Sequence, residues 1–239
     1  MQKSEYQNIS KLENAHFWYR ANREFSLALI DRFLPAQKLL PVLDIGCGPG
    51  GTTTSLKKYG PVTAIDVSPI ALKLARRHSL HRLILADVNK LPFKNKSFNL
   101  ITGFDVLYHR RVEIPAALSE IYRVLRHKGI FLLRVPAFSW LEGPHDKIVH
   151  TARRFTADDL RKILDRSGFS ILRLTYFNLS LLPAVFLARR LKPNSKSDIF
   201  PTKEPLNGLL YLLLSLESKI AQHINLPWGT SVYCLCTKP

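Results

Sequence analysis

The residues best suited to chemistry begin with Asp44-Ile45-Gly46-Cys47-Gly48-Pro49-Gly50-Gly51. An apolar run from Leu39 to Leu43 stops at an acid and opens into a glycine-rich turn, and a polar stretch follows from Thr52. That is the outline of a buried parallel strand, a tight turn and a helix start. Glycine at such a turn permits backbone angles that other residues avoid and lets the main chain approach a ligand closely. Ligands of open α/β sheets sit at this place, beyond the carboxyl ends of the strands. A carboxylate at the strand tip, Asp44, repels a pyrophosphate and suits a cationic group. Two more acids end later strands: Asp66, 20 residues after Gly46, and Asp87. The spacing of Asp66 suits a bidentate hydrogen bond to a ribose diol.

A second polar cluster lies in the stretch from Pro136 to Arg154. His145 is the first candidate base and His150 the next, because imidazole titrates near neutrality. Asp146 is suited to orient either ring, and Arg153 and Arg154 to clamp an anion. The same groups equally suit pinning the loop to the following helix by hydrogen bonds. Three potential ligands without a second cluster do not make a metal site, so no metal is expected. Near the start, His16-Phe17-Trp18-Tyr19-Arg20 is dense in aromatics. It reads as a helix packed on the sheet edge or as a lid, with Tyr19 and Arg20 as candidate acceptor contacts.

The elements that must hold these groups follow from periodicity. Residues 11–34 read as one helix, with Leu12, Phe17, Phe25, Leu29 and Phe33 at near-helical spacing. Strands are expected at Val62–Ile65, Leu83–Leu85, Phe98–Gly103, Ile130–Val135, Ser170–Phe177 and Gly229–Thr237. Helices are expected after Ser68-Pro69, from Pro115 with Gly129 as its stop, and from the capping box at Thr156 to Ser167. This alternation predicts an α/β fold: a doubly wound, Rossmann-like seven-stranded sheet, mostly parallel, with the last strand antiparallel. The chain reads as one domain over 1–239, with an N-terminal helical cap at 1–38 and a helical insertion at 179–228 before the last strand. In that insertion two apolar stretches flank a loop from Lys192 to Pro205. The second stretch, around Leu206 to Leu216, has no clearly polar face and is expected to be buried as a cap on the core.

The chain has 239 residues and 46% hydrophobic content, enough for a real core. Its net charge of +17 favours anionic partners: nucleic acid, an anionic membrane or a phosphorylated substrate. Three cysteines make no disulfide framework, which points to a reducing, cytoplasmic compartment. The polar stretch from Met1 to Ser10 lacks a signal-peptide core. No apolar window is long enough to span a bilayer, so any membrane contact is expected to be peripheral.

The run Asp44-Ile45-Gly46-Cys47-Gly48-Pro49-Gly50 resembles motif I of the class I S-adenosylmethionine-dependent methyltransferases. The run Ala86-Asp87-Val88-Asn89-Lys90-Leu91-Pro92-Phe93 with Lys96-Ser97-Phe98-Asn99 is similar to the same family's later motif, closest to the methyltransferase type 11 group. Asn99 departs from it where an acid is common. The resemblance implies S-adenosylmethionine as cofactor. It places Asp44, Gly46, Cys47, Gly48, Gly50, Asp66, Val67, Asp87, Val88 and Phe104 around that cofactor, with Asp87 at the adenine amino group. The tip of the fourth strand, Gly103 to His109, would face cofactor and acceptor, with Tyr108 among the acceptor contacts. The implied activity is methyl transfer to a small-molecule, glycan or lipid-linked acceptor. The absence of an Asn/Asp-Pro-Pro-Tyr/Phe run counts against methylation of adenine in nucleic acid. Two alternatives stay open: an RNA methyltransferase or nucleic-acid-binding protein, on the net charge, and a nicotinamide-dependent oxidoreductase, on the literal G-x-G-x-x-G of Gly46, Gly48 and Gly51.

Overall fold

The computed structural model describes residues 3–34, 39–191 and 201–239; the side chains of Pro144, His145 and Lys147 also lie outside the described set. Strand β1 (Val42–Ile45) pairs in parallel with β2 (Val62–Asp66) and β4 (Phe98–Phe104). Beyond β2 lies β3 (Leu83–Leu85), and beyond β4 lies β5 (Leu125–Pro136), both parallel. The last strand, β7 (Ser231–Thr237), runs antiparallel between β5 and β6 (Ser170–Phe177). Among the described residues this makes the expected seven-stranded sheet, in the order β3-β2-β1-β4-β5-β7-β6.

Alternation along the strands divides the core, because successive side chains leave opposite faces. Leu43, Ile45, Ile101, Phe131, Leu133, Cys234 and Cys236 cluster with α5 (Ile114–Val124) and α7 (Ala157–Arg166). Val42, Leu100, Ile130, Leu132, Tyr233 and Leu235 cluster with Phe25, Leu29 and Ile30 of α2 (Phe17–Phe33). Cys47, Cys234 and Cys236 are buried free thiols.

Several boundaries differ from the sequence expectation for physical reasons. The single helix over 11–34 is two, α1 (Lys3–Leu12) and α2. His16 interrupts it as an N-cap, its ring nitrogen accepting from the Trp18 N–H at 3.3 Å. Gly129 does not stop a helix. Helix α5 ends at Val124, β5 begins at Leu125, and the register shifts between the Phe98–Leu125 and Leu100–Ile130 pairs. Lys128 turns to positive φ in that bulge and donates its N–H to the Lys238 carbonyl. The capping box at Thr156 forms, with Asp159 as its partner, and opens α7.

The helical segment before β7 departs most. Its helices are α8 (Leu182–Leu191) and α9 (Leu206–Ala221), and residues 192–200 of the expected loop lie outside the described set. Burial of α9 as a leucine-rich cap is not what the structure has. Asn207, Leu214, Glu217, Ser218 and Ala221 face inward, whereas Leu206, Leu209, Leu212, Leu213, Leu216 and Ile220 are exposed. The inward polar groups are held by hydrogen bonds to distant backbone. Asn207 accepts from the Phe17 N–H at 2.9 Å, and Glu217 accepts from the N–H groups of Leu179 and Ser180, each at 2.8 Å. Among the described residues no helix is long and apolar enough to cross a membrane.

Candidate active site

A cavity of about 820 Å³ opens at the carboxyl ends of β1, β2, β4 and β5 and is covered by Glu5, Tyr6 and Ile9 of α1 and by the start of α2. The glycine turn forms its floor. Gly46 has φ +70°, and a Cβ there would stand 2.4 Å from a methyl of Val106, so no side chain fits. Gly48 also has positive φ, but a Cβ there would meet nothing within 4 Å, so its backbone faces open space.

Carboxylates gather at this end. Asp44 is buried and accepts from Thr53 Oγ1 at 2.5 Å and Thr102 Oγ1 at 2.7 Å. Burial pushes its pKa up to about 6, against the lowering effect of the two hydroxyls. Asp66 accepts from the N–H of Gly48 at 3.0 Å and of Ser68 at 2.8 Å, and burial raises its pKa despite both bonds. Asp87 is exposed and accepts from the Asn89 N–H at 2.8 Å. Glu13 bridges the N-terminal segment to the turn, accepting from the Gly51 N–H at 2.9 Å and contacting His78 Nε2 at 3.2 Å. The Tyr19 hydroxyl and one oxygen of Glu5 are buried on the cavity wall without a hydrogen-bond partner among the described residues.

The cavity also carries basic groups. Arg110, Arg111, Arg134, Arg154 and Arg189 line it with His109 and His150. Arg134 donates to Asp105 through Nε at 3.0 Å and again through Nη2, and lies over the Trp18 ring. Burial works against its charge, but Asp105 and Tyr233 together outweigh that and raise its pKa. Arg154 holds both oxygens of Asp146, at 2.8 and 2.9 Å, and donates to the Ala137 carbonyl at 3.0 Å. Burial pushes the Asp146 carboxyl up, yet Arg154 and the Gly143 N–H together hold it below its usual value. Burial pushes the His109 imidazole down to about 4, so it is neutral at physiological pH.

The sequence candidates fall into three groups. Asp44, Gly46, Cys47, Gly48, Asp66, Val67, Asp87, Val88 and Phe104 share the cavity wall with Tyr19, Tyr108, Asp146, His150 and Arg154. Gly50 lies beneath, at the N-terminus of α3 (Gly51–Leu56), with φ +103°. Arg20 and Arg153 are not brought in: Arg20 stacks on the Tyr211 ring at 3.8 Å, and Arg153 is exposed away from the cavity. His145 belongs to α6 (Pro144–Val149), and its side chain lies outside the described set. Among the described residues Asp146 makes no hydrogen bond to the His150 ring. It is the partner of Arg154 and the capping acid of α6. Sequence reasoning gave Glu13 and Arg134 no role, and it placed Asp105 and His109 only within the strand tip from Gly103 to His109, without a role of their own. For Asp105 the signal was faint: an acid just past a strand end, in a left-handed conformation. Among the described residues no group of three or more His, Cys, Asp or Glu is disposed to hold a metal ion.

This geometry has known counterparts. The family profile described as a methyltransferase domain matches residues 43–133. An uncharacterized methyltransferase of Synechocystis sp. is 31% identical over 151 residues, covering 58% of this chain and 69% of that protein. A malonyl-[acyl-carrier protein] O-methyltransferase of Enterobacter lignolyticus is 34% identical over 99 residues, 41% of this chain and 39% of its own length. Among solved structures, the methyltransferase in complex with the Haloferax volcanii Trm112 activator shares the fold, with TM-score 0.64 at 17% identity, covering 99% of this chain and 94% of that one. The chain belongs to the methyltransferase family, in the class I type 11 group whose motif the glycine turn resembles. It spans between 36% and 48% of the length of the first curated relatives it matches.

Proposed function

We propose that this chain transfers a methyl group from S-adenosylmethionine to an anionic small-molecule or lipid-linked acceptor. The observation that carries the reading is that one cavity gathers carboxylates around the glycine turn together with arginines, Arg134 and Arg154, that are held by Asp105 and Asp146. S-adenosylmethionine supplies a methyl carbon on a positively charged sulfur, together with an ammonium, a ribose diol and an adenine amino group. The residues present fit that set. Asp66 and Asp87 line the cavity as acceptors suited to a diol and an amino group, and the open backbone at Gly48 leaves room for a ligand close by. The orphaned oxygen of Glu5 and the Tyr19 hydroxyl offer further acceptors inside the cavity.

Methyl transfer is a displacement in line with the leaving sulfur, so the protein's main task is to hold the acceptor at attack distance. Arg134 and Arg154 are fixed in place by Asp105 and Asp146, which offset their charge, so the net positive charge at the cavity comes from Arg110 and Arg111 at its exposed mouth. An acceptor that is already an anion, such as a carboxylate, needs no base. The relative named for malonyl-[acyl-carrier protein] O-methylation is consistent with an oxygen acceptor. For a hydroxyl acceptor, His109 and His150 are the imidazoles at the cavity, and burial of His109, which pushes its pKa down to about 4, makes it a weak base. The arginines line a cavity rather than an open groove, which suits a small anion better than a polynucleotide. Two measurements test the reading. Titration calorimetry with S-adenosylhomocysteine is expected to give saturable binding, and none at high micromolar concentration refutes it. Mass spectrometry of a native extract incubated with the protein and cofactor is expected to show an anionic species gaining one methyl group.

A further inference from the structure

Helix α9 is built inside out. Its polar residues Asn207 and Glu217 point into the protein, each fixed by several hydrogen bonds, so the rotation of the helix about its axis is set by the fold. Tyr211 adds a third anchor, its hydroxyl on Glu24 at 2.8 Å and its ring under Arg20. Leu206, Leu209, Leu213, Leu216 and Ile220 recur at intervals of three and four and so share one side. They are between 40% and 63% exposed, and the turn beyond continues with exposed Ile224 and Trp228. Single exposed apolar residues need no explanation, but a helix-long stripe of them does.

The charge around this stripe identifies its occupant. The one acid within α9, Glu217, is turned inward, whereas Lys219 is exposed. Exposed Arg32 sits at the far end of the helix, donating to the Gln222 carbonyl at 2.5 Å, and exposed Lys203 precedes the near end, while the exposed acids nearby are engaged, Glu204 by the Gly208 N–H and Glu24 by the Tyr211 hydroxyl. A second copy of the chain would bring two bodies of net charge +17 together face to face, which opposes pairing. An anionic bilayer answers both features. It receives leucines and a tryptophan at the headgroup boundary and attracts the flanking cations. The stripe also adjoins the cavity. Helix α8 packs with α9 on α2 through Val185, Leu210 and Leu214, and Val185 and Arg189 of α8 line the cavity wall.

We propose that the outward face of α9 docks this protein on an anionic lipid surface, lying in the interface without spanning it. The proposal is read from the surface alone and does not depend on the methyl-transfer reading. If both hold, an acceptor with a lipid tail reaches the arginines of the cavity from the bilayer.

The test is co-sedimentation of the full chain with vesicles of phosphatidylglycerol and phosphatidylcholine, beside vesicles of phosphatidylcholine alone. The expected result is binding to the anionic vesicles that is at least tenfold stronger than to the neutral ones and weakens as salt rises. The double variant Leu209→Glu with Leu216→Glu is expected to lose that binding by at least tenfold while keeping the parent's melting temperature, since both side chains are already in water. Equal binding to both vesicle types, no binding to either, or an unimpaired double variant overturns the proposal. So does a concentration-dependent dimer in light scattering that the double variant abolishes, which would assign the face to a second copy. None of these readouts uses S-adenosylmethionine, so failure here leaves the calorimetric test of the site untouched.

Discussion

The carboxylates around the glycine turn and the arginines of the cavity are fixed by different means. Asp66, Asp87 and Glu13 each accept from backbone N–H groups of turns, while Asp44 rests on two threonine hydroxyls. For the arginines the fixing is side chain to side chain: Arg134 to Asp105 and Arg154 to Asp146. Carboxylates held by N–H groups keep lone pairs for a ligand, and the turn that holds them is the turn that shapes the floor. Arginines held by carboxylates are oriented by their partners, which also offset their charge. One set is therefore a property of local backbone, and the other a property of pairs that meet only in the finished fold.

The sharpest way to break this contrast is at Arg154, because the Arg154–Asp146 side chains are only 6% and 5% exposed. Arg154→Met strands a buried carboxylate and is expected to cost about 3–5 kcal/mol in urea unfolding. Adding Asp146→Leu is expected to recover most of that loss. If the single variant is as stable as the parent, the arginine set does not depend on its pairs.

Next in size is Asp66→Ala. It removes the acceptor for Gly48 and the proposed diol contact, and is expected to weaken S-adenosylhomocysteine binding on the order of 100-fold. The acceptor KM should stay close to the parent's, whereas Arg110→Gln with Arg111→Gln should raise acceptor KM and leave cofactor affinity near normal. A variant from one set that shifts both affinities equally would erase the distinction.

The smallest effect sharpens the comparison through pH. Asp44 has a folded pKa of about 6 against a usual 3.8, so its contribution to stability is complete below about pH 4 and is lost as pH rises through 6. His109 has a folded pKa of about 4 against a usual 6.5, so its contribution is complete above about pH 6.5 and is lost as pH falls through 4. The two slopes oppose each other across the same window, each at most about 1.4 kcal/mol per pH unit. Thermal melts between pH 4 and 6.5 should show stability rising more steeply with pH in Asp44→Asn than in the parent, and less steeply in His109→Gln. Identical pH profiles for all three proteins would remove the burial argument for both groups.

Much of the carboxylate set was legible in the sequence because its cues are local. An apolar run stopping at Asp44, three spaced glycines and Asp66 at the next strand's end all lie within a short stretch. Asp87 needed the motif as well as its place after a strand. The arginine set was only partly legible. Arg134 reads as an ordinary strand residue until Asp105 and Trp18 are brought beside it. Arg153 and Arg154 are indistinguishable in sequence, and their placement on the folded chain sends one outward and the other to Asp146. Glu13 reaches a turn that lies across an intervening helix and strand. The orientation of α9 was hidden for a related reason. A helix with leucines on most sides carries no instruction about which side is inward, and the deciding bonds from Asn207 and Glu217 go to backbone far away in the chain.

The position of β7 carries a consequence for how the sheet comes together during synthesis. It is the last of the strands to leave the ribosome, yet it lies between β5 and β6, which do not pair with each other. Until β7 arrives, β6 has no strand partner and is held through side-chain contacts such as Phe138–Tyr176, and the open edge of β5 exposes unpaired backbone. Closure of that gap seals Arg134 against Tyr233, whose hydroxyl also receives from the guanidinium at 3.3 Å. The Arg134 site thus needs β7 to be complete, whereas the glycine turn has its neighbouring strands without it.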